Sequence, residues 1–237
     1  MSVAAVVLAG GSGTRVGAEV NKVLLPLAGA PLLARSVATV AALPDVAVVV
    51  VVARAGDEEA VAAAVGPHVG AGPEVRLTVG GATRHASEAA ALAALTDTDV
   101  DVVTVHDAAR PLADADLYAR VVAAAREHGG AVPAVPLPGL VRRDGGPVPG
   151  LAGDAVAVGV QTPQGFRADL LREAYAHAAR TGFEGTDTAA CVAAHLAADG
   201  GGDGQGGSRA RIVVVGSSPT NLKVTYAEDV AVVARLA

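Results

Sequence analysis

Residues 3–15 read VAAVVLAGGSGTR, and Lys22 follows shortly after. An unbroken apolar run that opens directly into glycines is the pattern of a buried strand handing over to an anion-binding loop. Gly10, Gly11 and Gly13 let backbone N–H groups turn toward an anion without Cβ clashes, while Arg15 and Lys22 supply the positive charge a polyphosphate needs. The spacing separates this loop from two familiar ones. Residues 11–17 are GSGTRVG, so the last glycine falls one position late for a dinucleotide fingerprint, and no GKS or GKT follows for a Walker-type loop.

Outward from this strand, apolar runs recur at 46–53, 75–79, 100–105, 130–135 and 211–215. Between them, segments 31–42, 57–65, 84–95 and 113–128 carry a helical pattern, the last opened by Asp114 or Asp116 as cap. This βαβα alternation predicts an α/β fold: one Rossmann-like domain over residues 1–237, with a mainly parallel sheet and helices on both faces. Ligands of such sheets bind at the carboxyl ends of the strands, so the loops after residues 9, 79, 105 and 135 are where chemistry is expected. Residues 136–153 are too rich in Pro and Gly for a helix or central strand, and the stretch 136–157 is expected to project as an arm. Residues 199–208, DGGGDGQGGS, read as a flexible loop without chemistry of its own.

Composition narrows the partners. The chain is 51% apolar but only 2% aromatic, so its core must be built from small and branched side chains. A net charge of −6 and the absence of any Lys/Arg run argue against a nucleic-acid backbone as ligand. The apolar stretch at residues 3–9 is too short for a membrane span and lacks a charged leader, so a cytoplasmic protein is expected. Cys191 is the sole cysteine, which forbids an internal disulfide, and its alanine-rich surroundings suit a buried core residue.

Further constellations follow the other strands. HDAARP at 106–111 puts Asp107 at a strand end, where a carboxylate can hold Mg²⁺ bound to phosphates. His106 there is expected to satisfy local backbone groups, and Arg110 either reaches a phosphate or pairs with Asp107. Gly80 and Gly81, followed by Arg84 and Ser87, allow close approach of a flat base whose polar edge meets the Ser87 hydroxyl. In QTPQGF at 161–166, Thr162 and Gln164 flank a proline that stiffens a loop. Thr186 and Asp187 precede a helix as candidate caps, and NLKVT at 221–225 places Lys223 in a polar turn.

The ordered series AGGSGTR with Lys22, GG with Ser87, HDAARP, QTPQGF, TD and NLKVT resembles the 2-C-methyl-D-erythritol 4-phosphate cytidylyltransferase family, from about residue 3 to residue 230. That resemblance implies CMP transfer from CTP to a polyol phosphate, with pyrophosphate released. It assigns Ala9, Gly10, Gly11, Gly13, Arg15 and Lys22 to the CTP triphosphate, Gly81 and Ser87 to the base, and Asp107 to Mg²⁺. Arg110, Thr162, Thr186 and Lys223 fall on the acceptor side, and the arm implies a homodimer. Arg15, Lys22 and Lys223 are the expected catalytic cations. A phosphate monoester with a second pKa of about 6 is already a nucleophilic dianion, so the reaction needs charge neutralisation and no general base.

The departures from the family pattern are concentrated on the acceptor side. An Asp-Thr pair of the arm is replaced by Gly139 and Leu140, and an arginine upstream of QTPQ by Asp154, with Arg142 and Arg143 as nearby cations. Ala82 stands where an acidic residue is common. The sequence therefore leaves three readings open: methylerythritol 4-phosphate as acceptor, another polyol phosphate such as ribitol 5-phosphate, or a nucleotide-binding regulatory protein of low turnover.

Overall fold

A computed structural model describes residues 1–11, 21–70, 72–140, 142–143, 156–200 and 210–237. The opening run forms β1 (Val3–Leu8), and after a 3-10 turn at Lys22–Leu24 comes a small hairpin of β2 (Pro26–Leu27) and β3 (Ala30–Pro31). Then follow α1 (Leu32–Ala41), β4 (Val46–Ala53), α2 (Glu58–Val65), β5 (Glu74–Val79), α3 (Arg84–Ala93) and β6 (Val102–Asp107). The second half contains α4 (Ala115–His128), β7 (Gly129–Pro136), β8 (Val158–Val160), β9 (Gln164–Arg167), α5 (Ala168–Thr181), α6 (Thr188–Ala198), β10 (Arg211–Gly216) and α7 (Ala227–Leu236).

The main sheet runs β10-β7-β9-β6-β1-β4-β5, with β8 paired to β7. β1 is parallel to both β4 and β6, β4 to β5, and β10 to β7, so the expected mainly parallel sheet is present. The antiparallel members are β8 and β9.

Central strands buried on both sides explain the unbroken valine and alanine runs. Along β1, Val3, Ala5 and Val7 join the cluster with Leu33 and Val37 of α1 and Leu117 and Val121 of α4. Ala4 and Val6 point the other way, into the cluster with Leu92, Leu171, Ala174 and Val192 from the helical segments of the opposite face. A third, smaller cluster ties α7 to the β2 hairpin through Val233, Val224, Leu27 and Leu32.

Two details differ from the sequence reading. QTPQGF is a loop only as far as the cis Thr162–Pro163 bond, because Gln164–Arg167 is a strand that pairs antiparallel to β6 and also bonds β7. Its Gly165 is required there: a Cβ would sit 2.7 Å from Val121 Cγ1. The expected arm begins as the β7–β8 hairpin, whose described base runs to Gly139 and Leu140 on one side and from Val156 on the other. Asp154 and most of the 199–208 segment lie outside the described residues, as do Gly13 and Arg15. Among the described residues no helix is long and apolar enough to cross a membrane.

Candidate active site

Chain order carries β4 and β5 to one side of β1 and β6 to the other, so the loops leaving β1 and β6 diverge. A crevice at the carboxyl ends of these strands is the geometric consequence. It holds a cleft of about 370 Å³ lined by Gly10, Gly11, Lys22, Gly81, Ser87, Asp107 and Lys223 among others. Seven residues singled out by sequence thus share one cavity. Arg84, named in the sequence reading without a role, lines it as well.

The loop after β1 is fastened at its far end by Asn21, which the sequence reading passed over. Its buried side-chain amide donates to the Ala9 carbonyl (2.8 Å) and to Asp57 Oδ2 (2.9 Å), and Asp57 is itself paired with Arg54. Ala9 is buried and does not line the cleft, its amide donating to the Val52 carbonyl and its carbonyl accepting from Asn21. A Cβ on Gly11 would come within 3.9 Å of the Lys22 Cε, so the glycine leaves the space beside that ammonium open. Lys22 Nζ donates to the Val224 carbonyl at 3.0 Å, which bridges the first loop to the NLKVT turn.

Across the cleft, the loop after β5 presses against the first turn of α3. A Cβ on Gly81 would overlap that of Ala86, so only glycine permits the approach. Thr83 caps α3 by accepting from the Ala86 amide (3.1 Å). The Ser87 hydroxyl donates to the Thr83 carbonyl at 2.9 Å, leaving oxygen lone pairs on a residue at the cleft wall.

Asp107 closes β6 and stands between two cations. Lys223 Nζ is 2.7 Å from Oδ2, and Arg84 Nη1 bonds Oδ1. Burial pushes this carboxyl up, but Arg84 and Lys223 overcome it and hold it well below the usual carboxylate range. Behind it runs a relay of neutral bonds. The Asp107 amide donates to Thr162 Oγ1 (3.0 Å), which lies 3.1 Å from His106 Nδ1. His106 Nε2 meets the Arg110 carbonyl at 3.1 Å. A carbonyl only accepts, so Nε2 carries the proton and Nδ1 accepts from Thr162. Complete burial holds the imidazole neutral by pushing its pKa down to about 4.

Two of the expected acceptor residues stand in or beside this relay. Thr162 is 4% exposed with its hydroxyl engaged on both sides, so it orients Asp107 from behind. Arg110 neither pairs with Asp107 nor lines the cleft: its guanidinium donates to the Asn221 carbonyl at 2.7 Å. Asn221 in turn donates to Gln161 Oε1 and the Thr162 carbonyl, both at 3.0 Å, and these bonds fix the turn that carries Lys223. Thr186 is exposed and outside the cleft lining, while Asp187 caps α6 through the Ala190 amide (2.8 Å) and accepts from Gln164. Cys191 is buried, as its surroundings suggest.

A model of the family "IspD: 2-C-methyl-D-erythritol 4-phosphate cytidylyltransferase" matches residues 3–236. The chain belongs to that family. The 2-C-methyl-D-erythritol 4-phosphate cytidylyltransferase of Cereibacter sphaeroides is 38% identical, the match covering 100% of this chain and 97% of that protein. The bifunctional IspD/IspF enzyme of Clavibacter michiganensis is 42% identical over 94% of this chain, which spans 52% of that longer protein. Among solved structures, the 2-C-methyl-D-erythritol 4-phosphate cytidylyltransferase of Thermus thermophilus superposes with a TM-score of 0.71 at 32% identity, covering 100% of this chain and 98% of the other. For an IspD-family chain, the cleft at the β1/β6 divergence is thus the candidate active site.

Among the described residues no cluster of three or more His, Cys, Asp and Glu side chains gathers to hold a metal. Asp107 alone still suits Mg²⁺, which commonly takes one or two carboxylates and draws its remaining ligands from phosphates and water. Both Asp107 oxygens are paired, but the Lys223 side chain is 43% exposed and has room to move aside.

Proposed function

We propose that this chain transfers CMP from CTP to 2-C-methyl-D-erythritol 4-phosphate, giving CDP-methylerythritol and pyrophosphate. The observation that carries the reading is the placement of Lys22 and Lys223 in one cleft with Asp107, between glycine loops from β1 and β5. Two anions must meet in this reaction, and fixed cations offset their repulsion.

In the proposed complex the Gly10 and Gly11 backbone and Lys22 hold the triphosphate, with Arg15 assigned to the same task from sequence. Cytosine lies against Gly81 with its polar edge toward the Ser87 oxygen. Lys223 releases Asp107 to meet the acceptor phosphate, lowering its repulsion with the nucleotide, and Thr186, exposed just ahead of the α6 cap, is assigned to that phosphate from sequence alone. Mg²⁺, held by Asp107, supplies neutralisation of phosphate charge when bound. In-line attack by the dianionic monoester on the α-phosphorus requires no base, and developing charge is met by Lys22 and Arg15.

The reading also includes a cytoplasmic setting and a homodimer. Support for the dimer comes from the arm, where Leu137, Leu140, Val156, Val158 and Val160 are each between 36% and 71% exposed. Such a group of bare apolar side chains at one hairpin suits a second copy of the chain.

The test is pyrophosphate release with Mg²⁺ and CTP, comparing methylerythritol 4-phosphate, ribitol 5-phosphate and no acceptor. Turnover with methylerythritol 4-phosphate alone is expected. Turnover with ribitol 5-phosphate only, or CTP binding without turnover, would overturn the acceptor assignment.

A further inference from the structure

The charge network around Asp107 continues one step beyond the cleft. Arg84 bridges two carboxylates: Nη1 bonds Asp107, and Nε lies 2.8 Å from Glu88 Oε1, one helical turn further along α3. Glu88 is 2% exposed and does not itself line the cleft, which it reaches only through Arg84. Its other partners come from the helices behind. Thr188 of α6 donates to Oε1 at 3.0 Å, and the Tyr175 hydroxyl of α5 donates to Oε2.

A carboxylate in this position is poorly explained by packing. The same face of the sheet holds Ala91, Leu92, Leu171, Tyr175 and Val192, and an apolar side chain would join that cluster without desolvating a charge. What an apolar residue would not do is restrain Arg84. Glu88 holds the Nε side of Arg84 while Nη1 meets Asp107 Oδ1 and Lys223 meets Oδ2, so the guanidinium is tethered between two carboxylates. Burial pushes the Glu88 carboxyl up, and Arg84 acts against that rise.

We infer that Glu88 is a positioning residue, which acts through Arg84 to set where the Asp107 carboxylate and the Arg84 guanidinium stand in the cleft. Arg84 Nε and Nη2 are both buried without a hydrogen-bond partner among the described residues, so Glu88 holds the Nε side of the guanidinium as an ion pair. The role rests on the proposed nucleotide site, and it predicts coupling between two residues of which only one touches the cleft.

The test is a mutant cycle of E88Q, R84Q and R84Q/E88Q, read by CTP affinity in calorimetry and by kcat/KM for CTP. Gln keeps the shape of Glu88 and its contacts with Tyr175 and Thr188, and the double variant leaves no unpaired charge inside. E88Q is expected to keep its circular dichroism and thermal midpoint, and to weaken both CTP affinity and kcat/KM by about tenfold. R84Q/E88Q should be no worse than R84Q alone, because Glu88 has nothing left to position. Should R84Q not fold, R84M, which likewise leaves Glu88 no cation to position, takes its place in the cycle. Effects that multiply, or an E88Q protein within twofold of wild type in both readouts, would overturn the inference. Wild-type protein that binds CTP without turning over any acceptor would instead sink the proposed reaction, while calorimetry would still decide the role of Glu88.

Discussion

Lys22 and His106 lie at the same end of the sheet and act in opposite ways, one offering charge and the other withholding it. Lys22 lines the cleft, where its ammonium donates to the Val224 carbonyl. Lys22→Ala should keep the fold by circular dichroism while lowering turnover at least about a hundredfold, the usual effect of removing one donor from a charged transition state. His106 is fully buried and neutral, its pKa held at about 4. In the unfolded chain a histidine titrates near 6.5, so between these values the unfolded state binds the extra proton and stability falls as pH falls. The loss amounts to about 2 kcal/mol by pH 5 and on the order of 3 kcal/mol below pH 4. Urea unfolding of wild type and His106→Gln at pH 7.5 and pH 5 checks this. The wild type should lose that much more stability on acidification than the variant, and parallel losses would show that His106 does not carry it.

At the scale of elements, α3 is the part whose position the site depends on most, since its first turn carries Arg84 and Ser87 and is pressed by Gly81. Gly81→Ala forces that turn to shift, and overpacking of this kind commonly costs about 1–3 kcal/mol. Thermal unfolding should register that loss, and KM for CTP should rise with it. An unchanged KM would mean that the turn does not meet the base. The same helix marks where sequence reading stopped. Lys22, Gly81, Asp107 and Lys223 were legible because each sits in or beside a loop at the end of an apolar run, and the parallel sheet brings such ends together. Glu88 was not, because its meaning lies in Thr188 and Tyr175, which reach it from α6 and α5 across the tertiary fold. The bonds that hold Thr162 behind Asp107 and Arg110 on the Asn221 carbonyl were not legible for a related reason: the motif tells which residues are near a site but not which way they face. The strand β9 escaped notice since Gln164–Arg167 has no apolar run, and it is a strand because it fills the gap between β6 and β7.

On the scale of the whole molecule, the arm gathers several bare apolar side chains, Leu137, Leu140, Val156, Val158 and Val160. Val158 and Val160 flank Gly159 on β8, are exposed, and stand opposite Pro136 and Ala134 in the antiparallel pairing with β7. Replacing both with Asp leaves that pairing and the distant nucleotide cleft intact but makes the surface unfit for a second copy. The wild type is expected to sediment as a dimer at micromolar concentration and V158D/V160D as a monomer. If the partner's arm completes the acceptor side, KM for methylerythritol 4-phosphate should rise in the variant while CTP affinity stays as in wild type. A wild type that sediments as a monomer would remove the dimer, and a dissociated variant with an unchanged acceptor KM would confine the acceptor site to one chain. In that second case Gly139 and Leu140, where the family resemblance leads one to expect Asp and Thr, carry no acceptor contact in this protein, and their presence is accounted for without a change of substrate.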